Sequence, residues 1–541
     1  MTRTLGESND CSHLVLAAYA AWGHTKPLCS FAARLVKTRD VYVTLFMAPW
    51  FYDRVDEEVS RSFDEHEADA RARLRLIALE ATDEGFLEMD GFNPAFEKAY
   101  QALVRGQPLV CAKTAKEHGP VPNPDAVVLD FFGSKMLHAV RKLSPQPVKI
   151  YGWVVSCTGS YHLHIGMQSP NRNKDIRARI HEEAQKSGRS IREVAAEVCV
   201  PTANRYNSSQ LDVQAFYSPK GRITNVPGVP PMFDYEEYPQ KEMIPASEVG
   251  LFRMSNAEFT DNCDGMVIAT PHCIEPPESL EAMLKYYEGD VHVVGPMLPV
   301  ATKDYVTQKR PSDKAQEIDD FMTRTLELHG PNSLIYISFG SFWWSTEPEK
   351  IWAFLDLLLE RKIPFIFSHA SPFAQVPDGV REKVKNAGTG LFSPWSPQEY
   401  ILSHPVTGWF VTHCGFNSLI ESIALGVPMI CWPYQADQPV NTMYLTENLG
   451  VAYELFEVRT GHGLKPICRN GKTPTGTLDA VRQEANQVLD QAFSEDGVGK
   501  RAKVKKLQES FAQAWEEQGP SQLALERFID NIPTSDLVTV A

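Results

Sequence analysis

Two residues far apart in the chain have the types that acid–base chemistry needs. His24 sits in Gly23-His24-Thr25-Lys26-Pro27, directly after the apolar run 13–20. A histidine at the end of a strand points into whatever cleft opens there. Imidazole, with an ordinary pKa of ~6.5, serves as a general base near neutral pH. Asp130 ends a second apolar run, Ala126-Val127-Val128-Leu129, and two phenylalanines follow it. A carboxylate at that place fits two roles. It can bind the other imidazole nitrogen, fixing the tautomer and stabilising the imidazolium, or it can cap a following helix.

A third candidate region is continuous: WSPQEYILSHPVTGWFVTHCGFNSLIESIALGVPMICWPYQADQ, residues 395–438. The run Gly408 to His413 reads as a strand. Cys414, Gly415, Phe416, Asn417 and Ser418 form a small polar turn, and 419–425 have helical character. A strand, a turn and a helix in that order leave free backbone N–H groups at a helix N-terminus, a ready phosphate site. The next strand, within GVPMICWP, leads to Gln435, Asp437 and Gln438. A carboxylate beside amides at a strand's C-terminal end suits hydrogen bonding to several sugar hydroxyls.

The elements that must position these residues alternate between short apolar runs and amphipathic stretches. Strands are expected near 13–20, 41–47, 126–132, 148–154, 265–269, 291–294, 333–339, 363–368, 408–412 and 427–431. Alternating β and α elements imply an α/β chain with parallel sheets covered by helices. The series occurs twice, over 10–300 and 330–500, around a polar, Pro-containing linker. Paired α/β domains place a ligand in the cleft at the carboxyl ends of their strands. Two stretches interrupt the first series. Residues 52–80 are charge-rich and read as helical. Residues 170–262 hold a helix near 174–187, a second opened by the capping box Ser190 to Glu193, and a loop at 216–239. Phe216, Tyr217, Phe233, Tyr235 and Tyr238 in that last region are candidates for the wall of an apolar pocket.

Composition excludes several classes. The 541 residues are enough for about two to four domains. With 43% hydrophobic and 22% charged residues the chain is an ordinary globular one. The formal charge of −15 argues against a nucleic-acid binder, and the one basic run, 503–506, reads as the solvated face of a late helix. No apolar run reaches the ~18 residues of a membrane span, and 1–20 make a poor signal peptide. The 10 cysteines are scattered with no zinc spacing, as expected of reduced thiols in a cytoplasmic protein. Neither a G-x-G-x-x-G turn nor a complete phosphate loop is present: Gly471-Lys472-Thr473 has Pro466 where the loop needs glycine.

The 395–438 segment resembles the signature box of family 1 UDP-dependent glycosyltransferases of the plant secondary-product type. Its W-x-P-Q opening, H-C-G-x-N-S-x-x-E core, G-V-P-M and W-P-x-x-x-D-Q close match without gaps. The resemblance implies a GT-B fold: two Rossmann-like domains facing each other across a cleft. It implies that Trp395 stacks on uracil and Gln398 lies near the nucleoside. Glu421 would bind the ribose, and His413, Asn417 and Ser418, on the turn with Gly415 and Phe416, would hold the pyrophosphate. Asp437 and Gln438 would bind the sugar. Phe416 stands where plant members usually carry Trp. Ser338-Phe339-Gly340-Ser341 resembles the family's F-G-S turn, which brings Ser341 near the phosphates. Ser156 aligns with a family Thr that touches the donor. Gly23 to Pro27 resembles the family's G-H-x-x-P motif, whose histidine deprotonates the acceptor, and Asp130 stands where the family carries its partner.

The implied domains are 1–300 for the acceptor (with insertions at about 48–110 and 160–260), a linker at 301–330, 331–515 for the nucleotide sugar, and a helix within 516–541 crossing back. The implied activity is inverting transfer from a UDP-sugar, UDP-glucose by the closing Gln, to a hydroxyl of a small lipophilic acceptor (phenolic, flavonoid, terpenoid or sterol). His24 would be the base, oriented by Asp130, with no metal and no other cofactor. His162 and His164 read as pocket or surface histidines. Without the C-terminal anchor of animal members, the chain is expected to be soluble. The alternatives on the same fold are a non-catalytic UDP-sugar-binding protein, a UDP-sugar epimerase or a phosphorylase. The intact His24, Asp130 and Asp437-Gln438 set argues for the transferase.

Overall fold

The structure, a computed structural model, describes residues 11–82, 91–165, 182–189, 193–194, 221–241, 246–299 and 313–532. Seven strands form a first sheet: β1 (His13–Ala17), β2 (Tyr42–Met47), β3 (Leu74–Ala78), β4 (Ala126–Asp130), β5 (Lys149–Val154), β6 (Gly265–Pro271) and β7 (Val291–Gly295). Their spatial order is β3-β2-β1-β4-β5-β6-β7, and every pair is parallel. Leu14 and Leu16 enter one core cluster while Val15 and Ala17 enter another, so β1 is buried on both faces. That is why these strands read as unbroken apolar runs. Each fully buried Leu or Val contributes roughly 1.5–3 kcal/mol of transfer free energy.

Six strands form a second sheet: β8 (Leu334–Ser338), β9 (Phe365–Ser368), β10 (Gly390–Ser393), β11 (Thr407–Thr412), β12 (Met429–Cys431) and β13 (Ala452–Glu454). Their order is β10-β9-β8-β11-β12-β13, again all parallel. The two-sheet α/β architecture expected from sequence is therefore present. Both sheets reverse their winding beside their first strand, at β1/β4 and at β8/β11. The crevice outside the carboxyl ends of such a reversal is where doubly wound sheets bind ligands.

Several local readings need correction. Residues 52–80 are not helical throughout. Helices Tyr52–Ser60 and Ala68–Ala72 are followed by β3, whose Leu74, Leu76, Ile77 and Ala78 are buried at the sheet's edge. The charges before it hid a strand of only five residues. The expected linker contains a helix, Asp313–His329, with Ile318, Phe321, Met322 and Thr325 buried at helical spacing. The loop at 216–239 carries a two-stranded pair, Ile223–Thr224 with Met232–Phe233, and a 3₁₀ turn, Asp234–Glu237. Of the helices expected near 174–187 and after Ser190, residues 182–187 and 193–194 are helical, and their other residues lie outside the described ones.

The last helix of the described residues packs against the first sheet. Helix α4, the residues Pro520–Asp530, packs Phe528 at a tilt against Phe31 and edge-to-face against Tyr151, with ring centroids at 5.7 and 5.0 Å. Trp515 Nε1 donates to Pro296 O at 2.8 Å and Ser521 Oγ donates to Gly295 O. Three other helices matter below: α1 (Trp22–Thr38), α2 (Ala246–Asn262) and α3 (Phe416–Ala424).

Candidate active site

The carboxyl ends of β1 and β4 bring His24 and Asp130 together. His24 sits not at the end of the strand itself but in the first turn of α1, after the turn 18–21. Its Nδ1 is 2.7 Å from Asp130 Oδ2. Asp130 is fully buried and also accepts from Tyr19 N at 3.2 Å and, on Oδ1, from Phe132 N at 3.1 Å. The carboxylate thus both organises its own turn and binds the imidazole. With an anionic acceptor on Nδ1, the ring's proton resides there and Nε2 keeps its lone pair. Tyr19 and Phe132 flank the ring at centroid distances of 5.8 and 5.2 Å.

Facing these residues, across a cleft of about 1450 Å³, are the turns that follow β8 and β11. Gly340 has φ +77°, and a Cβ there would lie 2.8 Å from His413 Nε2. A side chain at Gly415 would also meet the His413 ring. The two glycines make room for one imidazole, which burial pulls down to about 4, so the ring is neutral at pH 7. Gly415 is the N-cap residue of α3, whose first N–H groups carry no intrahelical bond. Trp395, 44% exposed, and Ser341 line the same cleft.

At the end of β12, Asp437 accepts from Asn441 Nδ2 at 2.7 Å. The same amide donates to Cys414 O at 2.9 Å, tying the Asp437 carboxylate to the turn after β11. Burial pushes the Asp437 carboxyl up to about 6, opposed by the Asn441 hydrogen bond. Gln438 Oε1 accepts from Tyr434 N and Gln435 N at 2.9 and 3.2 Å, which leaves its Nε2 as the donor for a ligand. Ser156 lines the cleft after β5, with its carbonyl held by Thr270 Oγ1 at 2.9 Å.

Every donor-side residue named from sequence lines this cleft; Asp130 lies behind His24. Three engagements were not legible in the sequence. Pro27 has no N–H, so the Gly23 carbonyl lacks its helical partner. Asn417 Nδ2 donates to that carbonyl at 2.9 Å, joining the two halves across the cleft. Glu421 accepts from Gln398 Nε2 at 2.7 Å on one oxygen and pairs with Lys26 Nζ at 2.6 Å on the other. Lys26 also pairs with Glu399, which Arg61 Nη2 binds at 2.6 Å, and Arg61 Nη1 binds Glu58 at 2.6 Å. Burial would lower the Lys26 pKa, but Glu399 and Glu421 outweigh it and hold the ammonium well above its ordinary range. Lys26 stands inside the motif that carries His24, but nothing in the sequence links it to Glu399.

The expected aromatic wall is also revised. Phe216 and Tyr217 lie outside the described residues. Phe233 and Tyr235 stack on each other at 5.0 Å, and Tyr235 OH donates to Pro466 O at 2.5 Å, away from the cleft. Tyr238 lines the cleft, joined by Trp22, Trp50, Phe131, Phe132 and Trp343, which the sequence did not single out. His162 Nε2 is 3.0 Å from Ser279 O in the core, and His164 lines the cleft.

Comparison with known proteins agrees with this geometry. A family model described as UDP-glucuronosyl and UDP-glucosyl transferase matches residues 291–464. The UDP-glycosyltransferase eriJ of Hericium erinaceus is 29% identical over 539 residues, covering 96% of this chain and 98% of that protein. The zeatin O-glucosyltransferase of Phaseolus lunatus is 30% identical over 334 residues, covering 56% of this chain and 69% of that protein. Medicago truncatula UGT71G1, solved with UDP-glucose, superposes with a TM-score of 0.66 at 20% identity, covering 97% of this chain and 99% of its own. The chain therefore belongs to the UDP-dependent glycosyltransferases, with the GT-B fold of that family.

Proposed function

We propose that this glycosyltransferase is an inverting enzyme that moves glucose from UDP-glucose to a hydroxyl of a small lipophilic acceptor, with His24 as general base and Asp130 as its orienting partner. The observation that carries the proposal is the 2.7 Å His24–Asp130 contact at the mouth of a cleft shared with Asp437 and the α3 N-terminus. The UDP-glucose bound to the Medicago neighbour and the glucosyl transfer named for the zeatin relative support the donor.

His24 Nε2 takes the acceptor hydroxyl's proton as the oxygen attacks the anomeric carbon from the face opposite UDP. The bond from that carbon to the diphosphate oxygen breaks, and its electron pair leaves with UDP. Asp130 stabilises the imidazolium, which later returns the proton to solvent. The leaving diphosphate is met by the N–H groups and dipole of α3, with His413 and Ser418 beside it. A single displacement turns an α-linked donor into a β-glycoside. Trp395 stacks on the uracil, Glu421 and Gln398 take the nucleoside, and Asp437 with Gln438 Nε2 takes sugar hydroxyls. Ser341 and Ser156 complete the donor wall. The helix N-terminus takes the role that a divalent metal plays elsewhere, so transfer should proceed in excess chelator. Among the described residues no helix is long and apolar enough to cross a membrane, and a cytoplasmic location is part of the proposal.

The test is UDP release from UDP-glucose with phenolic, flavonoid, terpenoid and sterol acceptors in EDTA, wild type beside His24→Ala. Acceptor-dependent release that falls by about 10²–10⁴-fold in the variant, with UDP binding retained, supports the assignment. Full activity in His24→Ala would overturn it.

A further inference from the structure

The walls of the cleft around His24 are aromatic, but behind Phe131 and Phe132 they become polar. Arg253 and Asn256 stand three residues apart, on one face of α2. Ser255, between them in sequence, donates to Phe132 O at 3.3 Å, which ties α2 to the segment whose ring flanks His24. Arg253 Nη2 binds Glu237 and donates to Tyr238 OH at 3.2 Å. Arg253, Glu237 and Tyr238 are 9%, 7% and 3% exposed, and all three line the cleft.

One group in this wall lacks a complete set of partners, and a second shapes what can meet it. Asn256 is 4% exposed, and its Oδ1 has no hydrogen-bond partner among the described residues. His164 Nδ1 lies 2.8 Å from Ser160 O. A carbonyl only accepts, so Nδ1 carries the proton and Nε2 is left as an acceptor. Burial, reinforced by Arg253, pulls this imidazole down to about 3, so it is uncharged. A buried polar group without a partner destabilises the fold, and such groups in a ligand cleft mark where a ligand's polar atoms go.

We propose that this wall is a hydroxyl subsite: the acceptor carries, on its apolar body and away from the oxygen that is glycosylated, a second neutral hydroxyl that seats at Asn256. The proposal rests on the acceptor occupying the His24 end of the cleft. Chemistry selects the hydroxyl. Hydrocarbon would leave the Asn256 amide unmatched. A carboxylate would bring a charge with no free counterpart, because Glu237 already neutralises Arg253 and His164 is neutral. A hydroxyl both donates and accepts, and satisfies either orientation of the amide.

The test uses matched acceptors of two lengths: 2-naphthol, naphthalene-2,7-diol and 7-hydroxy-2-naphthoic acid, and estradiol beside 17-deoxyestradiol. In at least one set the diol should show a KM about 10-fold or more below its mono-ol at similar kcat, and the naphthoic acid should be poorest. Asn256→Leu should erase the diol's advantage while leaving kcat on the mono-ol in place. Should that variant lose its thermal transition, Asn256→Ala reads the same ratio. Equal KM for diol and mono-ol in both sets, or a preference that survives both substitutions, overturns the subsite alone. Turnover that is unchanged in His24→Ala overturns the glucosyltransferase reading and the subsite with it.

Discussion

The two halves of the cleft are built in opposite ways. The donor half comes almost entirely from one stretch, 395–438, with the turn after β8 added. Its geometry is set by backbone: glycines at 340 and 415 that leave room for His413, and the N-terminus of α3. The acceptor half is assembled from the ends of β1, β4 and β5, from α2 and from residues near 50 and 238. There the geometry is set by side-chain partners: Asp130 on His24, Glu237 on Arg253, Glu275 on Thr158. A backbone-built site tolerates little variation in sequence, and so it is recognisable. A site built from paired side chains can change its specificity by exchanging partners.

The difference is most exposed at Asp130. Asp130→Asn keeps the size and the capping of Phe132 N but removes the anion that fixes the His24 tautomer. The expected loss in kcat is about 10²–10⁴-fold, close to that of His24→Ala, with UDP affinity unchanged. A fall in UDP affinity of the same size would mean that the two halves are not separable in this way.

The same contrast explains what could be read from the chain. The turn 413–418 and the glycines around it are contiguous or nearly so, and their residue types are dictated by backbone space, so they stand out in the sequence. Lys26 and Glu399 are 373 positions apart, and a Lys and a Glu are individually unremarkable. β3 was hidden by the charges before it, and β10 by its four-residue length and half-buried Gly390, Leu391 and Phe392. Tyr235 is an aromatic in the expected region, but its hydroxyl finds Pro466 O and its ring faces Phe233. Composition places such a side chain in a neighbourhood and cannot choose which neighbour it meets.

Lys26 is where the halves are tied, and it sharpens the comparison. It belongs to the helix that carries His24, and its partners Glu399 and Glu421 belong to the donor half. Lys26→Met strands the buried Glu421 and the half-buried Glu399, of which only Glu399 keeps a cation, Arg61. Removing one partner from a buried pair costs about 3–5 kcal/mol, and part of that should be visible as a lower melting temperature. The site-specific readout is UDP: affinity should fall by about 5–30-fold, because Glu421 Oε1 loses the group that orients it, while acceptor KM stays within about twofold. Lys26→Arg should restore most of the affinity. Loss of acceptor and donor binding in equal measure would show that Lys26 supports the fold alone.

The smallest effect expected is on stability, and it belongs to the acceptor half only. Glu275 is buried behind the 156–158 turn, accepting from Thr158 N at 2.9 Å and bonded to Thr158 Oγ1. Burial pushes its carboxyl up to about 7, against the Thr158 bonds that favour the anion. The unfolded chain releases this proton near the ordinary value of ~4.3, so between there and about 7 the folded state holds a proton that the unfolded state has lost. The stabilisation from the neutral carboxyl is therefore complete below ~4.3 and is lost as pH rises through about 7, by no more than ~1.4 kcal/mol per pH unit. Glu275→Gln, which is neutral at every pH and keeps an acceptor for Thr158 N, should flatten the decline in melting temperature between pH 5 and pH 7 by about 1–3 °C. The nearest donor-half counterpart, Asp437, titrates toward about 6 and faces the ligand cleft, so saturating UDP-glucose should change its contribution and leave that of Glu275 untouched. A pH slope in Glu275→Gln identical to wild type, with and without donor, would place the proton elsewhere and remove Glu275 from the partners that hold the acceptor-side turn.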